Sequence, residues 1–159
     1  MISSEPNDID IYISSAIDYP SLKQELLLAN ATIISDTNNA LTIKLNHHTI
    51  QFCYSWKEEL KELIESFDFA HIKLGACCYL KQTAIELYFS KDYETATLIG
   101  SSFYTGSEYP LSSFIRILKY IKRGFFSGKS YIPELIKILS DIIQRGYTDH
   151  EDLKAHIVT

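Results

Sequence analysis

Polar and apolar residues alternate strictly near the start of the chain. The sequence Asn-Asp-Ile-Asp-Ile-Tyr-Ile-Ser occupies residues 7–14. Successive side chains of a β-strand point to opposite faces, so three isoleucines should share one face and Asp8, Asp10, Tyr12 and Ser14 the other. The pattern predicts a strand with one face in a hydrophobic core and a second face that carries two carboxylates.

A helix and three further strands are predicted next. Asp18 and Ser21 are suitable N-cap residues, and apolar residues recur behind them at helical spacing. Segments 32–35, 41–45 and 49–54 are rich in Ile, Thr and aromatic residues, and Asn and His residues typical of turns separate them. This alternation of strand and turn residues predicts an antiparallel meander.

The middle of the chain is predicted to hold a capped helix and a β-hairpin. A Ser55-x-x-Glu58 capping box opens the helix. Residues 67–79 and 84–89 have β-strand character and are separated by a turn. A short helix over residues 92–99 and a loop of small residues follow.

The last third of the chain is predicted to be helical. Apolar residues recur with a period of 3.6 over residues 111–125 and again over 132–143, with glycines after each segment. A Thr148-x-x-Glu151 pattern predicts the cap of a last short helix.

Length and composition indicate one sizeable core. The chain has 159 residues, of which 46% are hydrophobic. We therefore expect an α+β fold, a small mixed or antiparallel sheet with flanking helices. Residues 1–107 should form the α+β core, and residues 108–159 a C-terminal helical portion packed on the same domain.

Acidic and basic residues are unevenly distributed. The formal net charge of -5 argues against a protein that coats nucleic acid without specificity. Residues 1–20 contain four acidic and no basic side chains, whereas residues 109–133 contain five basic and no acidic ones. The first segment is expected to hold cations and the second anions.

The cysteines and the apolar segments indicate the cellular compartment of the protein. Cys53, Cys77 and Cys78 contain no Cys-x-x-Cys spacing, so neither a disulfide framework nor a zinc site is predicted. No apolar run approaches the length of a membrane span, and the N-terminus lacks the pattern of a signal peptide. We expect a soluble protein of the cytoplasm.

Two sets of charged residues are candidates for chemistry. Asp8 and Asp10, two residues apart on one strand face, can share divalent cations, and Mg²⁺ or Mn²⁺ prefers such oxygen ligands. Arg116, Lys119 and Arg123 form a basic stripe on a helix that suits a triphosphate or an RNA backbone. The alternative for each set is a solvated surface.

The order of these segments resembles the polymerase-beta-like nucleotidyltransferase superfamily, and most closely the small stand-alone nucleotidyltransferase-like proteins of phages and bacterial genomes. Three blocks carry the resemblance. They are Asn-Asp-Ile-Asp-Ile-Tyr at 7–12, Ser-Phe-Asp-Phe at 66–69, and Tyr-Pro-Leu-Ser-Ser-Phe-Ile-Arg at 109–116, which runs into Lys-Tyr-Ile-Lys-Arg-Gly-Phe at 119–125. The resemblance implies metal-dependent nucleotidyl transfer from a nucleoside triphosphate to a hydroxyl acceptor, with RNA among the candidate acceptors.

The resemblance also implies a set of site residues. Three carboxylates would hold two Mg²⁺ or Mn²⁺ ions, at Asp8, Asp10 and Asp68, and Asp68 would reach the metals if its strand lies beside the first. Glu86 and Asp36 compete with Asp68 for the third position. The residues implied in phosphate binding are Arg116, Lys119 and Arg123.

One feature of the superfamily is missing upstream. Its active members resemble one another in a Gly-Ser or Gly-Gly turn before the Asp pair, whereas residues 1–7 contain no glycine. Three interpretations stay open. The chain is a late-starting fragment, a second polypeptide completes the site, or the domain no longer turns over nucleotide and acts as a binding or regulatory subunit.

Overall fold

The structure is a computed structural model that describes residues 9–13, 17–54, 59–78 and 85–155. Within these ranges it contains a four-stranded mixed sheet, a two-stranded sheet and six helices, which confirms the α+β prediction. The chain divides into two compact units, Met1–Glu58 and Glu59–Thr159, which we call the first and second unit. The proposed domain boundary after residue 107 stays a prediction.

The first unit is built on the four-stranded sheet. Its strands lie in the order β1-β4-β3-β2, with β1 parallel to β4 and the other neighbours antiparallel. The predicted antiparallel meander is thus confirmed, and β1 forms an edge of the sheet. The elements are β1 (Ile9–Ile13), α1 (Tyr19–Leu28), β2 (Thr32–Asp36), β3 (Ala40–Leu45) and β4 (His48–Tyr54).

The core of the first unit lies on one face of this sheet. Leu41 and Ile43 are fully buried there, and Phe52 and Ile13 join them. Apolar residues of α1 pack against the same cluster. The predicted core face of β1 is confirmed at Ile13, whereas Ile9 and Ile11 are 39% and 37% exposed at this edge of the sheet.

The second unit combines a hairpin with helices. Its elements are α2 (Leu60–Glu65), a 3-10 turn (Ala70–Ile72), β5 (Leu74–Cys78), β6 (Ile85–Phe89), α3 (Lys91–Ile99), α4 (Pro110–Lys122), α5 (Tyr131–Arg145) and α6 (His150–Ala155). Strands β5 and β6 pair in antiparallel fashion, as predicted. No described helix is long and apolar enough to span a membrane.

A strand starting at residue 67 was expected, and this prediction is wrong. Phe69 makes a single bridge to Tyr104, and the 3-10 turn follows before β5 begins. The reason lies in the core: Phe69 is fully buried and packs against the rings of Tyr104, Tyr120 and Phe126. Burial of this ring outweighs the local strand preference.

Glycine and capping residues mark the ends of the C-terminal helices. Gly124 and Gly146, with φ of 79° and 68°, follow α4 and α5 as predicted. For α6, however, the carboxylate of Asp149 accepts the N–H groups of Glu151 and Asp152, each at 2.9 Å. Asp149 is therefore the capping residue, and the assignment of that role to Thr148 is wrong.

Two predicted features lie outside the described residues. They are the Ser55-x-x-Glu58 capping box and the hairpin turn at residues 81–83.

Candidate functional site

Asp10 lies on the face of the first sheet opposite the core. Because Ile11 and Ile13 pair with Phe52 and Tyr54 on the core side, the intervening residues of β1 point the other way. Tyr12 shares this orientation, which confirms the predicted facing of these two residues. Asp8 lies outside the described residues.

The strand register places polar residues beside Asp10. Asp10 pairs with Gln51 on β4, Gln51 pairs with Thr42 on β3, and Thr42 pairs with Ser35 on β2. We call these four residues the polar row. A carboxylate, an amide and two hydroxyls thus cross the sheet from one edge to the other.

Cys53 lies next to this row, opposite Tyr12 in the register. Burial, followed by the nearby Asp10 carboxylate, raises the pKa of its thiol to about 11. The thiol is therefore protonated at neutral pH. Because soft metals bind the thiolate form, Cys53 is a poor metal ligand at this pH. The chemistry of this face is dominated by oxygen donors.

Among the described residues, no group of three or more His, Cys, Asp or Glu side chains could hold a metal. The donors of the polar row nevertheless suit Mg²⁺ or Mn²⁺ in kind, because hard cations prefer oxygen and Mg²⁺ binds through as few as one or two carboxylates together with phosphates and water. Asp10 provides the carboxylate of the polar row.

Asp36 cannot share a cation with Asp10. It ends β2, at the opposite edge of the four-stranded sheet, about 14 Å from β1 by strand spacing. Its carboxylate accepts hydrogen bonds from Lys23 and Tyr19, each at 2.6 Å. These bonds hold the pKa of Asp36 below its usual range. Asp36 is thus engaged in an ion pair of its own.

Asp68 lies in the second unit, where it is 3% exposed. One of its oxygens, Oδ2, accepts a hydrogen bond from Ser113 at 2.6 Å and pairs with the Arg116 guanidinium at 3.0 Å. Its Oδ1 has no hydrogen-bond partner among the described residues. The structure therefore brings together two of the predicted site residues, Asp68 and Arg116, as an ion pair.

The remaining predicted residues are on the surface of the second unit. Lys119 lies on α4 and Arg123 directly follows that helix, and both are exposed. Glu86, the other candidate for the third carboxylate, pairs with Cys77 in the hairpin of β5 and β6.

Comparison with protein families gives one result for this chain. Residues 1–96 match the model of the Gabija anti-defense 2 family protein. The chain belongs to the Gabija anti-defense 2 family. The matched region contains the whole polar row and Asp68, whereas Arg116, Lys119 and Arg123 lie C-terminal to it. Comparisons with curated proteins and with solved structures give no significant match.

In this Gabija anti-defense 2 family member, the place of Gln51 in the polar row was not predicted from the sequence. Its neighbours on β4 gave no signal, since a lone Gln within a strand is unremarkable. Only the parallel register of β1 and β4 shows that it lies beside Asp10.

A buried polar network around Asp68 was also missed. The Tyr104 hydroxyl donates to Asp141 at 2.9 Å, and the Tyr104 N–H donates to Glu134 at 2.9 Å. Burial and the bond to Asp141 raise the pKa of the Tyr104 hydroxyl. The negative charge of Asp68 also raises this pKa, because it disfavours ionisation of the Tyr104 hydroxyl. The network ties the loop before α4 to α5.

Proposed function

We propose that this chain counteracts the Gabija defence system of bacteria. The observation that carries the proposal is the family match over residues 1–96, which covers more than half of the chain. The name of the family describes an anti-defence activity, and this chain would share it during phage infection.

The proposed chemistry is metal-dependent nucleotidyl transfer from a nucleoside triphosphate to a hydroxyl acceptor, with RNA as one candidate acceptor. The exposed position of Asp10 on the face opposite the core supports it, because a carboxylate there is accessible to a solvated ion and its bound nucleotide. In this proposal Asp8 and Asp10 hold Mg²⁺ or Mn²⁺, which when bound would activate the acceptor hydroxyl and neutralise the phosphates. Arg116, Lys119 and Arg123 assist phosphate binding.

A second candidate is a nucleotidyltransferase-like domain that binds nucleotide without turnover and acts as a regulatory subunit or with a partner chain. One observation favours it. The Asp68 carboxylate is already compensated by Arg116 and Ser113. Retained binding without catalysis is the expected behaviour of such a site.

Plaque counts on bacteria that carry Gabija test the anti-defence role. Cells expressing the chain should lose protection against a phage that Gabija normally restricts. Expression of Asp10→Asn should leave protection in place if the polar face is required. Glu94→Gln, an exposed carboxylate change on α3, is the matched control and should behave like the unmodified chain. Full protection in the presence of the unmodified chain would refute the anti-defence proposal.

Calorimetry with MgATP and MgGTP tests the chemistry on the purified chain. Binding that is lost when Asp8→Asn is combined with Asp10→Asn would support a metal–nucleotide site on β1. Pyrophosphate release in the presence of RNA then separates the two candidates: release supports transfer, and binding without release supports the regulatory domain. Absence of nucleotide binding would contradict both.

A further inference from the structure

The hairpin of β5 and β6 packs on α2 through one of its two faces. A Cβ atom at Gly75 would meet Ile64 of α2, so Gly75 faces that helix. Tyr88, the partner of Gly75 in the hairpin, donates a hydrogen bond from its hydroxyl to Glu65, the last residue of α2. The other face consists of three cross-strand pairs whose members are all exposed: Leu74 and Phe89, Ala76 and Leu87, Cys78 and Ile85. We call these six residues the apolar hairpin face.

The apolar hairpin face is large for a surface patch. None of its six side chains is charged. Its four largest side chains, Leu74, Ile85, Leu87 and Phe89, are 40%, 66%, 62% and 48% exposed. At about 200 Å² for a large apolar side chain, these four alone leave roughly 400 Å² of apolar surface open. Patches of this size on soluble proteins are often binding sites, and a face without positive charge is unsuited to nucleotide or nucleic acid.

Bulky and small side chains are separated on this face. On β6, Ile85, Leu87 and Phe89 form a ridge, whereas Ala76 and Cys78 form a lower trough beside it on β5. In packed sheets the side chains of the two layers interdigitate, and large residues fit opposite small ones. A partner that fits this face must therefore offer a ridge opposite the trough and a trough opposite the ridge.

A second copy of the chain meets this requirement. A two-fold axis parallel to the strands, midway between two facing hairpins, would place β6 of each copy over β5 of the other. Because Leu87 pairs with Ala76 within the hairpin, Leu87 of one copy would lie over Ala76 of the other. By the same register, Ile85 of one copy would lie over Cys78 of the other. The contact brings no like charges together, since the face carries none.

We propose that the apolar hairpin face is the contact surface of a homodimer in which two hairpins pack face to face. The four large side chains of both copies would bury roughly 800 Å², and the small residues and the rim bring the total to about 1,000 Å². This area is the lower limit for a specific interface, so we expect a dimer that dissociates in the micromolar range. The surface lies in the second unit and takes no part in the nucleotide site of the proposed function.

Sedimentation equilibrium of the full chain at concentrations from about 1 to 200 µM tests the proposal. The average mass should rise with concentration from that of one chain, 18.2 kDa, toward twice this value. Leu87→Arg places a charge at the centre of the contact and should weaken dimerisation by about 100-fold. A chain that stays monomeric over this range refutes the proposal and leaves a different protein as the occupant of the face.

Leu98→Arg is the matched control, because Leu98 is an exposed residue of α3 outside the apolar hairpin face. This variant should dimerise as the unmodified chain does. Ile136→Arg tests the exposed apolar side of α5 in the same way. If Ile136→Arg abolishes the dimer and Leu87→Arg leaves it intact, the contact surface lies on α5 and the proposal is wrong. Thermal melting, monitored by circular dichroism, establishes that the compared variants are folded.

An exchange of large and small residues tests the two-fold arrangement itself. Leu87→Ala leaves a hole opposite Ala76 of the other copy, and Ala76→Leu places a second large residue opposite Leu87. Each variant alone should dimerise about tenfold more weakly than the unmodified chain. A mixture of the two should form a heterodimer of restored affinity, detected by native mass spectrometry, because a large residue again meets a small one in both contacts. A mixture that associates no better than the separate variants would overturn the proposed contact.

Discussion

The carboxylate of Asp68 is held between a hydroxyl and a guanidinium. Since Asp68 is 3% exposed, removing its charge leaves the Arg116 guanidinium without its counter-ion. We expect Asp68→Asn to lower the free energy of unfolding by about 1–3 kcal/mol, as measured by urea denaturation. A metal ligand without this structural role would instead tolerate the change or gain stability.

A double-mutant cycle identifies the cause of that loss. Arg116→Gln removes the other partner of the ion pair. The two changes together should cost less than the sum of each alone, because the pair can be broken only once. Additive costs would mean that the stability effect of Asp68 does not depend on Arg116.

His71 is a half-buried ionisable group of the second unit. Its Nδ1 lies 2.6 Å from the Ser102 hydroxyl, and its ring stacks on Phe125 with an edge-on contact to Tyr120. Burial lowers the pKa of His71 from 6.5 to about 4. The imidazole is therefore neutral in the folded protein at pH 7.

This shift predicts a pH dependence of stability. The unfolded chain takes up a proton near pH 6.5 and the folded chain only near pH 4, so the unfolded state binds more protons between these values. Stability should consequently fall as the pH is lowered through this window, by about 2 kcal/mol for a partly exposed ring. The free energy of unfolding, measured by urea denaturation, should fall between pH 6.5 and pH 5 more steeply for the unmodified protein than for His71→Phe. Parallel curves would rule out a titrating His71.

At the scale of elements, Gly75 allows β5 to lie against α2. A Cβ atom at this position would stand 2.7 Å from Cδ1 of Ile64. We expect Gly75→Ala to destabilise the protein by about 1–3 kcal/mol through overpacking. Ile64→Val deletes the obstructing methyl group, so the double variant should recover part of the loss in thermal melting. Failure of Ile64→Val to relieve the cost would point to the backbone instead.

Periodicity predicted these elements well where local patterns decide them. The alternation at Ile9–Ile13 correctly placed Ile13 in the core, although Ile9 and Ile11 stay exposed. The turn residues between the strands correctly divided the meander. Alternation carries no information about strand partners, however. The parallel pairing of β1 with β4, and with it the place of Gln51 beside Asp10, could not be predicted.

The surroundings of Asp68 could not be predicted from the sequence. Phe67 and Phe69 alternate with polar residues as in a strand, but the burial of Phe69 among aromatic rings from distant segments decides the local conformation. Its pairing with Arg116 joins residues far apart in the chain. Such long-range contacts lie beyond what one sequence and its local periodicity can reveal.

At the scale of the whole molecule, the described residues form two hydrophobic core clusters, one in each unit. Leu41 is fully buried in the core of the first unit and Ile138 in that of the second. Leu41→Ala and Ile138→Ala should each cost about 2–5 kcal/mol. Hydrogen exchange should show the largest loss of protection in the unit that carries the change. Equal loss in both units for either variant would indicate one cooperative structure.

The parallel pairing of β1 also sets the order of assembly. β1 is synthesised before β4, and because Ile9 pairs with Ile50 this strand cannot join the sheet until β4 has left the ribosome. The hairpin contacts of β2, β3 and β4 are local and form early, whereas the pairing of β1 requires closure of a long loop. Asp10 and Gln51 therefore become neighbours only when β1 joins the sheet, so a nascent chain has no complete polar row until β4 has been synthesised.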